Sequence, residues 1–446
     1  MLGGQVKFVF TNRFYALLIA AVVLLLATFA FTNIGWLVLL FDAALIVTAL
    51  ADYFASRGAV SDLDITRHFE RRPAIGDPTE IILNASNSGG RTLLLKIKDE
   101  YPPEMELGDQ KREAMLQLEP NSVGTYSYMV TPPRRGLYDF GETAVRILSR
   151  LGLVWCQASI GTARSVKVYP NVRRVREIEL RALGARSFLA IQRKAVRRGE
   201  GREFESLRDY VAGDEMRNIS WTATARRSKL ISVQHQIERD QTIIIALDAG
   251  RLMTGRIDNE TKFETALHAS LALVSASSRA GDNCGIVVFG RRVIRYLPPK
   301  RGVGQMDAAL ETLVDIEPQL IESSYSRGFQ FIASNTKKRA FVVILTDVID
   351  KDSSSRLLEA LPLLRPRHLP LVATIGDRDL NASVSSPPKN EKEMFLQSAA
   401  EELLVQRGAA LLQVEALGGL ALDVTTQTLA TELLESYIRV KVRGLL

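Results

Sequence analysis

Two long apolar runs at the start of the chain most constrain what it can fold into. Residues 14–31 form an uncharged, almost wholly apolar run, and residues 34–51 form a second run in which Asp42 is the one charged residue. Each run is long enough to cross about 30 Å of hydrocarbon as a helix that rises about 1.5 Å per residue. Only Thr32 and Asn33 separate them. The pattern therefore predicts a two-helix transmembrane hairpin over residues 1–56, and a cleaved signal peptide is the alternative interpretation.

The charges that flank these runs predict how the hairpin is oriented. Lys7 and Arg13 precede the first run, a group of arginines that begins at Arg57 follows the second, and the turn carries no Lys or Arg. Because positive flanks stay in the cytoplasm, we expect both termini to be cytoplasmic. In a bacterial-type cell the chain would be a multi-pass inner-membrane protein that contacts lipid through the hairpin.

The composition narrows the classes of function. The 446 residues include 57 Lys and Arg against 50 Asp and Glu, and this net charge of +7 is too mild to indicate a nucleic-acid partner. The two cysteines, Cys156 and Cys284, and four scattered histidines exclude a disulfide framework and a cysteine-rich zinc site. The sequence has no G-x-x-x-x-G-K-[ST] loop, so we expect no ATP hydrolysis by this chain. We also expect protein partners and no small-molecule substrate.

Residues 57–171 have the pattern of an antiparallel β-domain. Short alternating runs are separated by glycine- and proline-rich turns, which is typical of an immunoglobulin-like β-sandwich. The predicted strands are Thr79–Leu83, Thr92–Lys98, Thr125–Val130, Ala144–Ile147 and Ser165–Tyr169. No catalytic constellation occurs in this region, so we expect it to be a scaffold.

Residues 172–240 begin with an arginine-rich stretch up to Arg198 that contains few acids. Such a stretch could contact anionic lipid or an acidic partner, or be a solvated linker. Contact with nucleic acid is the third interpretation, but Phe188 is the one aromatic residue available for base stacking.

Residues 241–446 have the pattern of an α/β domain. Apolar runs at 242–247, 286–289, 341–345 and 371–375 alternate with helical patterns at 263–280, 306–314, 357–364 and 394–406. Continuous apolar strands between helices predict a parallel sheet that is covered on both faces. Asp248 and Asp347 follow two of these strands, at the edge where such sheets bind ligands.

This arrangement resembles the von Willebrand factor A domain, whose metal site combines a D-x-S-x-S loop, a later Thr and an Asp after the fourth strand. Mg²⁺ requires such an octahedron of oxygens. Here the loop reads DAGRL at 248–252, so both serines are missing, while Asp347 matches the late Asp. Ser323, Ser324 and Ser326 lie near the expected position of the Thr. The resemblance therefore implies a degraded metal site at Asp248 and Asp347 that binds Mg²⁺ weakly or not at all, and no other cofactor.

The most specific motif lies just upstream. The sequence reads GREFESLRDY at 201–210 and GDEMRNISWTATAR at 213–226. It resembles the signature of domain-of-unknown-function family fifty-eight, G-x-E-F-x-x-L-R-x-Y followed by G-D-x-x-R-x-I-x-W-x-x-x-A-R. The resemblance implies a membrane hairpin, a β-rich segment, a C-terminal domain of the von Willebrand type, and a MoxR-type AAA+ ATPase as partner.

The same segment combines arginines and acids with single aromatic residues. Planar guanidinium groups pair with carboxylates, so the segment could be held on the following domain with Trp221 as a packed anchor. The alternative is a surface that binds a partner protein. The candidate signature and interaction residues are Arg202, Phe204, Arg208, Tyr210, Gly213, Asp214, Arg217, Trp221 and Arg226.

Together these patterns predict a multidomain membrane protein with a hairpin, a β-sandwich and an α/β domain. No base lies beside a nucleophile in sequence, so we expect no enzymatic activity. The predicted function is that of a membrane-anchored adaptor or chaperone-like assembly factor that works with a MoxR-type ATPase. The alternative function is Mg²⁺-dependent protein binding through Asp248 and Asp347.

Overall fold

The computed structural model describes most of the chain and divides it into two compact units, residues 1–171 and 172–446. The described residues are 6–27, 35–108, 113–161, 163–173, 175–177, 203–211, 216–236, 241–257, 260–348, 351–376, 380, 384, 387, 388 and 390–446.

The apolar runs fold into two helices, α1 (Asn12–Ala27) and α2 (Gly35–Ser56). Among the described residues, one helical stretch, Trp36–Val60, is long and apolar enough to cross a membrane, and the apolar stretch Asn12–Val23 is shorter. The predicted turn at residues 32–33 lies outside the described residues. The two-helix hairpin therefore stays a prediction.

Both helices are attached to the β-rich part of the first unit. A strand that the sequence analysis missed, β1 (Lys7–Phe10), precedes α1 and pairs antiparallel with β10 (Val154–Ile160). The Thr11 hydroxyl donates to the carbonyl of Gly152 at 2.7 Å. Near the end of α2, the buried Asp52 carboxylate accepts the N–H of Leu151 at 3.1 Å. The residues just before α1 and the last turn of α2 thus contact the same loop.

The rest of the first unit is antiparallel. Its remaining strands are β2 (Leu63–Phe69), β3 (Thr79–Asn87), β4 (Leu93–Lys98), β5 (Glu106–Leu107), β6 (Glu113–Leu118), β7 (Ser122–Thr131), β8 (Gly136–Phe140), β9 (Thr143–Leu148) and β11 (Arg164–Val168). They form sheets in the orders β1-β10-β9-β4-β6, β2-β3-β7-β5 and β11-β8. Side chains from these sheets, among them Ile81, Leu95 and Phe140, share one buried core. The five predicted strands are confirmed as strands.

The second unit begins with a small element that carries the signature segment. Strands β12 (Glu203–Asp209) and β13 (Ile231–Gln236) pair antiparallel, and the helix α3 (Trp221–Arg227) lies between them in sequence. Ser220 caps α3 by accepting the N–H of Ala223, and Ser228 ends it in the left-handed region. Ser and Thr favour such caps because their side chains replace missing helical hydrogen bonds.

A six-stranded sheet forms the centre of the second unit. Its strands are β14 (Thr242–Asp248), β17 (Asn283–Phe289), β18 (Val293–Lys300), β19 (Ala340–Thr346), β20 (Leu369–Gly376) and β21 (Leu420–Thr425), in the order β18-β17-β14-β19-β20-β21. All neighbours are parallel except β17 and β18. Two short antiparallel strands of two residues each, β15 (Arg256–Ile257) and β16 (Glu260–Thr261), follow β14.

Helices cover both faces of this sheet. They are α4 (Lys262–Ala280), α5 (Gly304–Leu313), α6 (Tyr325–Asn335), α7 (Lys351–Ala360), α8 (Glu391–Ala416) and α9 (Leu429–Val442). Helix α4 contacts α5 and α9, whereas α7 contacts α6 and α8. Phe329, Leu357 and Val414 of the second group share one core with β14 and β19. The prediction of a sheet covered on both faces is confirmed.

Candidate functional site

The strand order places one crevice at the carboxyl edge of the sheet. From β14 the chain proceeds to β17 on one side, and β19 lies on the other side. In open α/β sheets this reversal of strand order leaves a crevice between adjacent carboxyl ends, where ligands bind. Asp248 ends β14 and Asp347 follows β19, so the two predicted aspartates meet there.

Asp248 is buried, and hydrogen-bond donors surround its carboxylate. The N–H of Gly250 donates to Oδ1 at 2.8 Å, and the Ser323 hydroxyl also donates to Oδ1. The Thr346 hydroxyl donates to Oδ2 at 2.6 Å, and the Tyr325 hydroxyl lies 3.3 Å from the same oxygen. Burial raises the pKa of Asp248, and these hydrogen bonds oppose that shift. Ser323 is thus the one of the three predicted serines whose hydroxyl reaches this aspartate.

Gly250 is required for this loop to close. A Cβ at this position would overlap the Ser323 hydroxyl and lie 3.0 Å from the carbonyl of Ile321. The absence of a side chain therefore lets the 319–323 segment approach the carboxylate of Asp248.

Asp347 is also buried, and it is paired with two cations of the chain itself. The Lys262 ammonium lies 2.5 Å from Oδ2, and the Arg407 guanidinium lies 3.3 Å from Oδ1. The N–H of Val348 donates to Oδ1 at 2.9 Å. The side chain of Lys262 is 7% exposed and that of Asp347 is 0% exposed. Neither cation was predicted from the sequence.

Arg407 extends the ion pair along the sheet edge. Its Nη2 lies 2.7 Å from Asp423 Oδ1 and donates to the Thr374 hydroxyl at 2.8 Å. It therefore connects the carboxyl ends of β19, β20 and β21 to helix α8. The charges of Lys262 and Arg407 balance those of Asp347 and Asp423.

This donor set does not fit the divalent cation that the von Willebrand resemblance implies. Mg²⁺ requires oxygen ligands in a near-octahedral arrangement at about 2.0–2.1 Å. The Lys262 ammonium lies within hydrogen-bond distance of one oxygen of Asp347, and Arg407 lies near the other. Within the part of the chain that the structure describes, no group of three or more His, Cys, Asp or Glu could hold a metal ion. Both carboxylate oxygens of Asp347 are therefore already engaged by cations of the protein itself.

The loops around this crevice form a surface that we call the loop face, consisting of residues 249–252, 290–292 and 319–327 with Arg356. Backbone hydrogen bonds connect these loops, including Gln319 N–H to Ala249 O at 2.8 Å. Leu320 is 84% exposed on this surface. Glu322 pairs with Arg251 and, at 3.2 Å, with Arg356. The loop face thus combines an exposed apolar side chain with exposed arginines, which are Arg251, Arg291, Arg292, Arg327 and Arg356.

The signature residues lie apart from this crevice in sequence and are only partly described. Arg202, Gly213 and Asp214 lie outside the described residues, and the side chains of Phe204 and Arg217 are not described. Arg208 is exposed at β12, and the N–H of Tyr210 donates to the carbonyl of Leu230 at 2.9 Å. Arg226 is exposed and forms no ion pair with any residue that the structure describes.

The expectation that Trp221 is a packed anchor is wrong. Its side chain is 67% exposed, and no residue of α3 is buried. The helix is held on β13 by polar contacts instead. Ser220 N–H donates to the carbonyl of Ile231 at 2.9 Å, and the Thr224 hydroxyl accepts the N–H of Ile231 at 3.0 Å. These contacts leave the indole in solvent.

A comparison with known protein families supports the resemblance that the signature segment indicated. Residues 206–382 match the family model described as protein of unknown function DUF58. The resemblance predicted from the sequence is confirmed over this range, which includes both aspartates, Lys262 and α3. Arg202 and Phe204 precede the range, and Arg407 follows it. No curated protein matches the chain.

Solved structures resemble parts of the chain at low identity. A conserved hypothetical protein, BatB from Bacteroides thetaiotaomicron, is 14% identical with a TM-score of 0.27, and the match covers 46% of this chain and 99% of that one. A CARDB domain from Pyrococcus furiosus is 16% identical with a TM-score of 0.17, covering 24% of this chain and 92% of that domain. A cohesin module from Clostridium perfringens is 14% identical with a TM-score of 0.20, and the match covers 24% of this chain and 98% of that module.

Proposed function

We propose that this protein is a non-enzymatic, membrane-anchored adaptor whose loop face binds a protein partner without a metal ion. The observation that carries the proposal is the pairing of Asp347 with Lys262 and Arg407. A metal-dependent adhesion site needs that carboxylate as a ligand, whereas here its charge is already balanced inside the protein. Binding at this edge must then come from the surface of the loops themselves.

The loop face has the composition of a protein-binding surface. Exposed Leu320 offers apolar area, and arginines are enriched at protein interfaces because their planar heads pair with carboxylates. The loops rest on a rigid sheet whose strands β14 and β19 are fully buried. Such loops can vary in sequence without changing the fold.

The proposed partner follows from the family resemblance, and the proposed placement in the membrane follows from the apolar runs and their flanking charges. We propose a MoxR-type AAA+ ATPase as partner, because proteins with this signature are associated with such ATPases. We place the chain in the bacterial inner membrane with both apolar helices as spans and both termini in the cytoplasm. The pairing of β1 with β10 and the hydrogen bond from Leu151, in the loop before β10, to Asp52 near the end of α2 support this arrangement, since they keep both flanks of the helix pair together.

The test is co-purification of the tagged full-length protein with the MoxR-type ATPase of the same cell, in detergent, with EDTA or with added Mg²⁺. We expect equal recovery of the ATPase in both conditions and a loss of at least tenfold with Leu320→Ser. The matched control is Val303→Ser, since Val303 is 89% exposed and precedes α5, outside the loop face. Failure to recover any ATPase would refute the proposed partner.

A metal titration separates the main proposal from Mg²⁺-dependent binding. Calorimetry on the detergent-solubilised chain should show no saturable Mg²⁺ binding below millimolar concentration. Micromolar affinity that is abolished by Asp248→Ala, together with partner recovery that requires Mg²⁺, would establish the alternative function instead.

A further inference from the structure

Six aromatic side chains form an unbroken series of ring contacts where β1, α1 and α2 meet. We call them the aromatic band; they are Phe8, Phe10, Phe14, Tyr15, Tyr53 and Phe54. The ring centroid of Phe8 lies 5.4 Å from those of Phe10 and Tyr53, and the rings of Phe10 and Phe14 stack at 4.0 Å. The band therefore connects the start of α1 to the end of α2 through β1.

The first unit leaves much of the aromatic band uncovered. Phe54 is 58% exposed, Tyr15 is 47% exposed and Phe8 is 44% exposed. Phe8 belongs to β1, which lies at the edge of the five-stranded sheet, and the neighbouring Val9 is exposed as well. An exposed apolar edge strand promotes aggregation unless something covers it. The band and β1 thus need a cover from outside the first unit.

The loop 149–153, between β9 and β10, continues this surface. Hydrogen bonds attach it to the residue before α1 and to the last turn of α2. A Cβ on Gly152 would lie 3.0 Å from Nη1 of Arg13, so the Arg13 guanidinium lies against this loop. Leu151 is 58% exposed, and Arg150 beside it is exposed too. The loop therefore presents an apolar side chain and two cations between the two helices.

Four exposed cations border the aromatic band and the loop. They are Lys7, Arg13, Arg57 and Arg150. The Arg57 guanidinium lies 5.1 Å from the ring centroid of Phe54, which places this charge directly on the band. None of the four forms an ion pair with a residue that the structure describes. Their charges are thus available to an anion.

The acids of the first unit do not neutralise these cations. Asp52 is buried, and its carboxylate accepts two N–H groups of the loop. Asp62, which precedes β2, is exposed, and its charge acts on Arg91. The undescribed residues of this unit include one acid, Asp109, between β5 and β6. Strand β6 lies at the opposite edge of the sheet from β1.

We infer that the aromatic band and the loop 149–153 lie in the headgroup layer of the membrane, where Arg13 and Arg150 bind the phosphate of an anionic lipid. This assignment, which rests on the proposed membrane placement, adds a lipid site on the β-rich part of the first unit. Aromatic rings concentrate at membrane–water interfaces, and arginines there keep their heads among polar groups. The planar guanidinium also pairs with two phosphate oxygens at once.

The position of the band favours lipid over a protein partner. The stretch Trp36–Val60 is long and apolar enough to cross a membrane, and it contains Phe54. The lipid-facing surface of α2 would therefore continue without a break into the band. A protein partner would have to cover the band and stop at the helix. Free phosphate shares the charge of a lipid headgroup but has no acyl chains to contact the aromatic rings.

The experiment uses the full-length chain with Leu151→Cys, labelled on the new thiol with a nitrobenzoxadiazole fluorophore, in phosphatidylcholine nanodiscs. The native Cys156 and Cys284 are buried, so the label is confined to residue 151. Phosphatidylglycerol and phosphatidylcholine that have a nitroxide on the acyl chain near the headgroup are compared as quenchers. We expect phosphatidylglycerol to reach half-quenching at a mole fraction about fivefold lower. This ratio corresponds to about 1 kcal/mol, the contribution of one basic residue near an anionic surface.

The preference for phosphatidylglycerol should depend on the two arginines beside the label. Arg13→Gln/Arg150→Gln should reduce it to less than about twofold, and high salt should reduce it as well. Because both side chains are exposed and form no ion pair with a described residue, the melting temperature should stay unchanged.

The matched control removes two exposed arginines at the other end of the first unit, with Arg71→Gln/Arg134→Gln. Arg71 follows β2, which extends about 20 Å from its start after α2. Arg134 lies two residues beyond Pro132, whose carbonyl accepts the N–H of Gly76 in the β2–β3 turn. This pair should leave the preference unchanged. The same label at Leu137→Cys, three residues beyond Arg134, should be quenched by neither lipid.

Four outcomes would overturn the inference. Quenching of the residue 151 label by neither lipid would assign the surface to a protein contact. Equal quenching by both lipids, or an equal loss of preference with the Arg71 and Arg134 control, would remove the headgroup site. Displacement of the phosphatidylglycerol by inorganic phosphate at constant ionic strength would assign the arginines to free phosphate.

Carbonate extraction of the membrane fraction tests the proposed placement separately. Release of the chain would refute the placement in the membrane. A retained chain whose label is not quenched would refute only the lipid site. Recovery of the ATPase through Leu320 does not depend on either result, so failure here and failure of the proposed function are distinguishable.

Discussion

At the residue scale, Lys262 determines what the carboxyl edge of the sheet can do. Its ammonium lies in the first turn of α4 and reaches a carboxylate that is 0% exposed, 85 residues away in sequence. Removing one partner of a buried pair leaves an uncompensated charge, which costs far more than the pair itself contributes. The pair therefore fixes α4 to β19 and also keeps Asp347 from acting as a free ligand.

We expect Lys262→Met to lower the local free energy of unfolding of β14 and β19 by about 3 kcal/mol. This value lies at the lower end of the range for broken buried ion pairs, because Arg407 stays 3.3 Å from the other oxygen of Asp347. Hydrogen exchange of the amides in both strands measures it on the full-length chain. The double change Lys262→Met/Asp347→Asn should recover part of the loss, since it also removes the buried carboxylate charge that the single variant leaves without Lys262. Wild-type exchange rates in the single variant would show that the pair is not formed in solution.

The sequence predicted the acidic half of this site but not the basic half. Asp248 and Asp347 are recognisable because each follows a continuous apolar strand, and Ser323 lies near the position that the family pattern requires. Lys262 resembles any charged residue at the start of a helix, and Arg407 lies in the middle of α8, 60 residues beyond Asp347. No local pattern indicates that either is buried, since long-range pairing depends on how α4 and α8 pack.

At the scale of elements, a buried cluster holds the last helix on the sheet. Asp282, which follows α4, is 0% exposed and accepts the Tyr437 hydroxyl at 2.5 Å. The Lys441 ammonium lies 2.5 Å from the same oxygen. Burial raises the pKa of Asp282, and the charge of Lys441 opposes that shift. Both Tyr437 and Lys441 belong to α9, so one carboxylate fixes α9 against the end of α4.

Tyr437→Phe should therefore loosen α9. It removes a buried hydrogen bond to a carboxylate, and such bonds contribute about 1.5–3 kcal/mol. Hydrogen exchange should become faster in α9 and at the end of α4, with little change in the β-rich first unit. Tyr296→Phe is the control because Tyr296 is only partly buried on β18 and its hydroxyl forms no hydrogen bond within the described residues. Equal effects of the two changes would contradict this role for Tyr437.

The pattern of apolar residues predicted the central strands and missed the edges. The strand predicted at residues 242–247 is observed as 242–248, because a fully buried strand gives a continuous apolar run. Strand β18 contains Pro298 and Pro299, which are tolerated only because it lies at the edge of the sheet. Helix α6 was missed because Gly328 interrupts its pattern, although Gly328 is needed where the helix passes Phe289, whose ring would lie 3.0 Å from an added Cβ.

At the scale of the whole molecule, the first unit joins the apolar helices to the β-sheets at both ends. Strand β1 lies before α1 and pairs with β10 at the edge of the five-stranded sheet, while β2 begins shortly after α2. The Tyr53 hydroxyl near the end of α2 also donates to the carbonyl of Val6 at 2.6 Å. A cleaved signal peptide would remove β1 from its sheet. We therefore expect the chain segments before α1 and after α2 to lie on the same side of the membrane in the proposed two-helix arrangement.

That constraint agrees with the charge pattern, and together they predict the topology. Reporter fusions after Val60 and after Leu446 should both behave as cytoplasmic, because Lys7, Arg13 and Arg57 flank the helix pair and the turn has no Lys or Arg. A reporter inserted between Thr32 and Asn33 is the internal control and should behave as periplasmic. Reversing the charges with Lys7→Glu/Arg13→Glu should weaken this preference, since the positive flank before α1 is removed. A periplasmic signal from the fusion after Val60 would contradict both the charge argument and the cytoplasmic placement of the α/β unit.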